Sequence, residues 1–368
     1  DGGITLMLTQ SELTQAIRGE IDKADRNIEL SFIQDYLAYA AKISNPKRAA
    51  HLRAVRAKFR GWAPFEVYIT IGEAKKASGN VAFDLRYLGQ SVGTILVGDT
   101  GEVTLEITPV KAAKNLRDFS DGSPESKILA APLTAPWDSS SASEFRSYFR
   151  KMHPRRSGAS AGNEEHRVES ALIAAFAGGS NKPVRYIRPV MLPGLNCRFP
   201  MTTGITASDH GNPRPGRGGI DILARTGNGR GTFLTVIEVK DQNTSLEAPE
   251  AALRQAAAYA VFLRRLLRSG EAGAGYWWRL FGFSGEIPDR LVIRIASAMP
   301  RQCTSGVSDN LDGLCGRGVT VPFDPQEPEG DCVELHTIFF DDVDPGDGHP
   351  NQLRNFTSTL HDWPEKPD

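Results

Sequence analysis

The sequence predicts an α/β protein: a mixed central sheet flanked by helices, preceded by an N-terminal α+β module with its own antiparallel sheet. Three observations predict it. The chain opens with helical periodicity. Residues 65–108 switch to four alternating β-type runs. From residue 164 a helix, a strand, a Gly-centred hairpin, a second long helix and a further apolar strand follow one another.

The elements can be justified in order. Thr9 and Glu12 have capping-box spacing, and Leu13, Ile17 and Ile21 recur every four residues, so a helix starts near residue 10. A second helical run covers about 27 to 43. Asn45-Pro46 suits the start of a third, with Asn45 as cap. That third helix carries Lys47, Arg48, His51, Arg53, Arg56, Lys58 and Arg60 and no acidic residue. Arg53, Arg56 and Arg60 share a face and are candidates for phosphate contact or, equally, a solvated surface.

The β-type runs are Phe65 to Ile71, Val81 to Tyr87, Ser91 to Val97 and Glu102 to Thr108. Short Gly-containing turns separate the later ones, as in an antiparallel meander. No catalytic constellation is visible in it. Residues 1–117 therefore form a first module, suited to recognition or assembly. Residues 118–163 are rich in Ser, Pro, Gly and Ala and read as a linker. Inside it, Phe145 to Arg156 interleaves aromatic and basic residues. Arg150 and Lys151 are nucleic-acid contact candidates there, and a short amphipathic helix docked on the domain is the alternative.

A domain over 164–345 follows. Its first helix buries Val168, Leu172 and Phe176, with Glu169 beside that stripe and Glu165 and His166 on the same side. Val184 to Leu192 is a β-run. The helix from Pro249 to Arg268 projects Gln255 and Tyr259 from one face, and Leu291 to Ala298 and Leu335 to Phe340 are further strands. Residues 346–368 read as an acidic tail.

The charge distribution bounds the partners. The net charge is −1, but residues 321–368 hold 12 acidic against 2 basic residues, leaving 41 basic against 32 acidic elsewhere. A basic body with an acidic end suits a polyanion partner. Cys197, Cys303, Cys315 and Cys332 form no CxxC pair, which disfavours a disulfide framework or a zinc site. With no apolar run of transmembrane length and no signal-peptide pattern, the expectation is a cytoplasmic protein off the membrane.

The most informative stretch is Gly218 to Asp241. Asp221 sits in the apolar run Ile220 to Leu223. A Gly-rich turn follows, and a second apolar run ends in Glu238-Val239-Lys240. Strand alternation puts Glu238 and Lys240 on one face and Val239 on the other. Pairing across the hairpin brings Asp221 beside them. Two carboxylates and an ammonium in one small apolar site require mutual pairing or a metal ion.

This pattern resembles the PD-(D/E)XK nuclease superfamily, which includes restriction endonucleases, Holliday-junction resolvases and RecB-like nucleases. The resemblance rests on a helix with Glu169, Ile220-Asp221, then Ile237-Glu238-Val239-Lys240 and a following helix. Gln255-xxx-Tyr259 is similar to the Gln-xxx-Tyr feature of the RecB-like branch. It covers about 164–298, and Ile220 stands where the family usually has proline. The resemblance implies a restriction-endonuclease-like core and magnesium, with manganese as substitute. Asp221, Glu238, the Val239 carbonyl and Glu169 would hold the metal, Glu165 or His166 being alternatives to Glu169. Lys240 would serve the attacking water or the transition state. Gln255 would position the metal-water network and Tyr259 would support it or touch the nucleic-acid backbone, simple core packing being the alternative for Tyr259.

The expected function is therefore metal-dependent phosphodiester hydrolysis, in DNA rather than RNA, in restriction, anti-phage defence or repair. A second copy of the chain or a partner protein is a candidate occupant of the N-terminal module. The competing expectations are a non-catalytic nucleic-acid-binding or assembly subunit that keeps the fold, and an unrelated metal-dependent hydrolase.

Overall fold

The computed structural model describes residues 8–44, 65–69, 80–87, 90–98, 100–156, 164–177, 184, 186–190, 218–228, 231–241, 249–270, 272–301, 308–343 and 352–360. Within them the protein is mixed α/β, with its strands in two sheets. No helix among the described residues is long and apolar enough to cross a membrane.

Two helices lead. Helix α1 (Gln10–Asn27) starts at a full capping box, Thr9 with Glu12, and buries Leu13, Ile17 and Ile21. Helix α2 (Leu30–Ser44) follows. The first sheet is β1 (Glu66–Ile69), β2 (Val81–Tyr87), β3 (Gln90–Val97), β4 (Val103–Ile107) and β5 (Leu133–Pro136), an antiparallel meander in chain order. Alternation on β2 buries Val81, Phe83, Leu85 and Tyr87 and leaves Asp84 and Arg86 on the opposite face.

The expected linker is a structured part of this module through residue 156. Helix α3 (Pro109–Phe119) is capped by Thr108 and has Pro109 in its first turn. A 3-10 helix (Pro124–Ala130) and β5 follow, and β5 pairs with β4. Helix α4 (Ser140–Arg156) then packs on the meander. Its aromatics are core residues, because Phe145, Tyr148, Phe149 and Met152 recur at i, i+3, i+4 and i+7 and form one buried stripe. Phe149 packs against Phe65, Tyr87 and Phe119. Of the residues that suggested a linker, Pro124 opens the 3-10 helix and the Ser139 hydroxyl accepts from the Ala142 amide at the start of α4, while Ser147 and Pro154 lie within that helix.

The second sheet belongs to the C-terminal half. Helix α5 (Glu164–Ala177) precedes the antiparallel strands β6 (Ile187–Pro189), β7 (Ile222–Asn228) and β8 (Gly231–Val239). Helix α6 (Pro249–Leu267) crosses over to β9 (Val292–Pro300), which lies parallel to β8. Helix α7 (Ala272–Leu280) sits between α6 and β9 in the chain, and α8 (Ser308–Leu314) after it. Strand β11 (Cys332–Val343) runs parallel to β9, with β10 (Thr320–Pro322) and β12 (Gln352–Ser358) antiparallel beside it. Strand β12 falls in the stretch expected to be a tail, and its pairing makes residues 352–358 part of the sheet.

Among the described residues the N-terminal helices pack against the C-terminal half. Arg254 and Arg265 on α6 pair with Glu20 and Asp25 on α1 at 3.2 and 2.9 Å. Tyr36 on α2 meets Phe262 at 4.9 Å between ring centres, and its carbonyl accepts from the Trp277 indole. Helix α6 is apolar nearly all round, so it needs cover on two sides. The sheet supplies one and α1 the other.

Candidate metal centre

The β7–β8 hairpin builds the site. Ile222 pairs with Ile237, which brings Asp221, just before β7, level with the end of β8. The Val239 amide donates to Asp221 Oδ2 at 2.9 Å, fixing that carboxylate across the strand end. Glu238 is fully buried and Lys240 nearly so. Alternation sets them on the same face, with Lys240 Nζ 3.4 Å from Glu238 Oε1.

Helix α6 supplies the next layer. Lys240 Nζ also donates to Gln255 Oε1 at 3.2 Å, and Gln255 Nε2 to the Tyr259 hydroxyl at 3.2 Å. The four-residue spacing stacks these two side chains on one helix face. Tyr259 is buried, and the Gly219 backbone also bonds its hydroxyl, so its polar end is satisfied within this chain of contacts. Burial pushes its acidity further down, and the nearby Glu238 carboxylate adds to that.

Helix α5 completes the acidic group. Ligand atoms of Glu165, Asp221 and Glu238 all lie within 4.8 Å of one another. Of the alternatives left open on this helix, the structure therefore brings Glu165 into the group. Glu169, one turn further on, is buried and close enough for its charge to act on Asp221. Its carboxylate faces Arg86 of β2 at 3.9 Å. The side chain of His166 lies outside the described residues.

The electrostatics follow from this crowding. Burial raises the Asp221 pKa to about 6, Glu169 adds to the rise, and the Val239 amide and Lys240 oppose it. Burial likewise raises Glu238 well above the usual carboxylate range, with Asp221 and Glu165 adding to the rise and Lys240 opposing it. Glu238 Oε2 is buried and has no hydrogen-bond donor among the described residues. A buried acceptor of this kind costs free energy unless a proton or a cation meets it. Three converging carboxylates offer the hard oxygen set that suits magnesium or manganese.

Other candidates do not join this group. Arg150 and Lys151 are exposed on α4. Arg53, Arg56 and Arg60 lie outside the described residues, as do Cys197 and Cys303. Cys315 and Cys332 are free, buried thiols, and burial raises the pKa of both. Arg86 was missed by sequence reasoning. Its signal was the pair Asp84 and Arg86, two charges two residues apart within an otherwise apolar strand.

Comparison of the chain with family models, with curated proteins and with solved structures gave no match.

Proposed function

We propose that this protein is a divalent-metal-dependent nuclease of the PD-(D/E)XK type, acting on DNA. The observation that carries the proposal is the convergence of Glu165, Asp221 and Glu238 beside Lys240 at the open end of the β7–β8 hairpin. The element order supports it. An antiparallel β6–β7–β8 meander, a crossover helix and a parallel β9 follow helix α5, as the resemblance implies for this core.

Asp221, Glu238 and Glu165 would hold the ion, with the Val239 carbonyl as a further oxygen at the strand end. The buried, donor-free Glu238 Oε2 fits that role. When bound, the ion supplies charge neutralisation to a phosphodiester and acidity to the attacking water. The chain's own residues do the rest. Lys240, held between Glu238 and Gln255, places a fixed positive charge where negative charge grows on the phosphate. Tyr259 anchors Gln255, which keeps the ammonium from turning away. Apolar strand residues around Glu238 limit water and strengthen these interactions.

The test is a cleavage screen of the full chain on circular and linear DNA and on RNA with magnesium or manganese. Wild type should cut DNA, and Glu238→Ala and Lys240→Ala should fold normally and not cut. Wild type that binds nucleic acid but cuts none of these substrates would establish a non-catalytic binding subunit instead.

A further inference from the structure

Among the described residues β6 is the edge strand of the second sheet, and it sets one positive charge against another. Arg188 on β6 stands directly opposite Arg225 on β7. The Val190 amide donates to the Leu223 carbonyl at 2.8 Å on one side of that pair, and the Gly227 amide to the Tyr186 carbonyl at 3.1 Å on the other. The register is therefore fixed, and the two side chains leave the ladder about 5 Å apart. Like charges so placed are destabilising. Among the described residues neither guanidinium pairs with a carboxylate. Burial, and after it the Arg188 charge, lowers the Arg225 pKa.

Arg225 has a built seat. Its guanidinium donates to the Gly282 carbonyl and lies 6.0 Å from the Phe283 ring centre, and Phe283 stacks on Trp278 at 3.9 Å. Gly282 has a φ of 87°, and a Cβ there would meet Arg225 Cζ at 2.8 Å, so the seat needs glycine on both counts. Arg188 is exposed and Arg225 half-buried, which leaves one charge in solvent beside one that is held.

The pair shares a sheet face with Glu238 and Lys240. Ile222, Ala224, Ile237 and Val239 line the face packed with α5. Leu223, Leu234 and Val236 line the other. Alternation puts Arg225 with Leu223, and Glu238 and Lys240 with Val236. Arg188, directly across from Arg225, is on the same face. Arg225 pairs with Leu234, four residues before Glu238 on β8. At about 3.3 Å per residue, the arginines lie roughly 13 Å along the strands from the acidic group. That span matches about four phosphates along one strand of a duplex, at about 3.4 Å of axis each.

An anion between the two guanidiniums relieves their repulsion and supplies the charge partner they lack. An open sheet edge in line with the acidic group suits a phosphate carried on a long backbone. Resting on the nuclease reading above, we propose that Arg188 and Arg225 clamp one backbone phosphate of duplex DNA and so fix where the strand lies relative to the metal centre.

The experiment is fluorescence anisotropy of a labelled DNA duplex with the full chain, in chelator and at several salt concentrations. A single-stranded RNA is the second probe. Wild type is compared with Arg188→Gln, Arg225→Gln, the double variant and Lys114→Gln, an exposed charge on α3. Arg188→Gln should weaken DNA binding roughly fivefold at low salt and flatten the salt dependence. The double variant should lower the slope of log affinity against log salt by about 0.9, the value for one phosphate. Lys114→Gln should keep the wild-type slope. The Tm of Arg188→Gln should equal or exceed that of wild type, because a like-charge contact is relieved, whereas loss of a structural residue lowers it.

If Arg225→Gln does not fold, Arg188→Gln alone carries the test. No binding of DNA by wild type, a slope unmoved by Arg188→Gln and by the double variant, an equal loss in Lys114→Gln, or an effect on RNA and not on DNA overturns the assignment. Wild type that cuts DNA with magnesium while the slope is unmoved removes the clamp and leaves the nuclease reading. The expected slope change in a chain that never cuts removes the nuclease reading and leaves the clamp.

Discussion

Substituting Asp221 by asparagine should stabilise the metal-free protein while destroying its response to metal. Asp221 sits among Glu165, Glu169 and Glu238, and its pKa rises from 3.8 to about 6 on folding. The sign follows from linkage. A carboxyl whose folded pKa is raised is penalised in the folded state wherever it must ionise. The penalty is absent below the unfolded value and complete above the folded one. The full shift, which already includes the opposing attraction to Lys240, would correspond to about 3 kcal/mol, and partial solvent contact reduces that to about 1–2 kcal/mol.

For a chain of 368 residues, about 2.1 cal/mol/K of unfolding entropy per residue converts this to a rise in Tm of about 1–3 °C. Asparagine retains an oxygen to accept from the Val239 amide, so the hairpin tie survives. The assay is thermal unfolding in chelator between about pH 4 and 8, repeated with excess manganese. The difference between variant and wild type should be near zero at the acid end and grow through the window between 3.8 and about 6. Saturating manganese should raise only the wild type and reverse the order. A lower Tm for Asp221→Asn in chelator at neutral pH would refute the reasoning.

Three further outcomes follow from the packing. Burial opposes ionisation of Glu334, yet the His336 hydrogen bond at 2.8 Å and the Arg294 charge bring its pKa down to about 2. It thus contributes stability above the ordinary glutamate value of 4.5 that is lost as pH falls toward about 2. Acid unfolding of Glu334→Gln should accordingly show a shallower loss over that range. Gln255→Ala should lower metal-dependent cleavage by about 10–100-fold with little change in Tm, because it frees Lys240 without opening the core; wild-type rates would contradict this. Ile17→Ala on α1 should cost about 2–4 kcal/mol in urea unfolding, since Ile17 is fully buried in the core shared with α6. A cost near zero would show that α1 is dispensable to the C-terminal half.

The hairpin was legible because local rules and burial agree there. Alternation fixed Glu238 and Lys240 on one face, and the Gly-rich turn fixed the register that brings Asp221 beside them. Gln255 and Tyr259 were legible for the same reason, through helix spacing. The choice between Glu165 and Glu169 was not. Both flank the Val168, Leu172 and Phe176 stripe, and only the rotation of α5 against the sheet decides which reaches Asp221. Arg86 carried only a local signal, the charged pair with Asp84 in an otherwise apolar strand, because its partner Glu169 is far away in sequence. The stretch 118–156 misled because Ser, Pro and Gly serve helix caps and turns as readily as linkers. Its aromatics declared a buried face only at helical spacing.

Anomalous diffraction from crystals of the full chain grown with manganese tests the central claim most directly. A single peak about 2.0–2.3 Å from carboxylate oxygens of Asp221 and Glu238, within reach of Glu165, is the predicted result. A pocket without a peak at saturating manganese, or an ion bound only elsewhere on the chain, would contradict it.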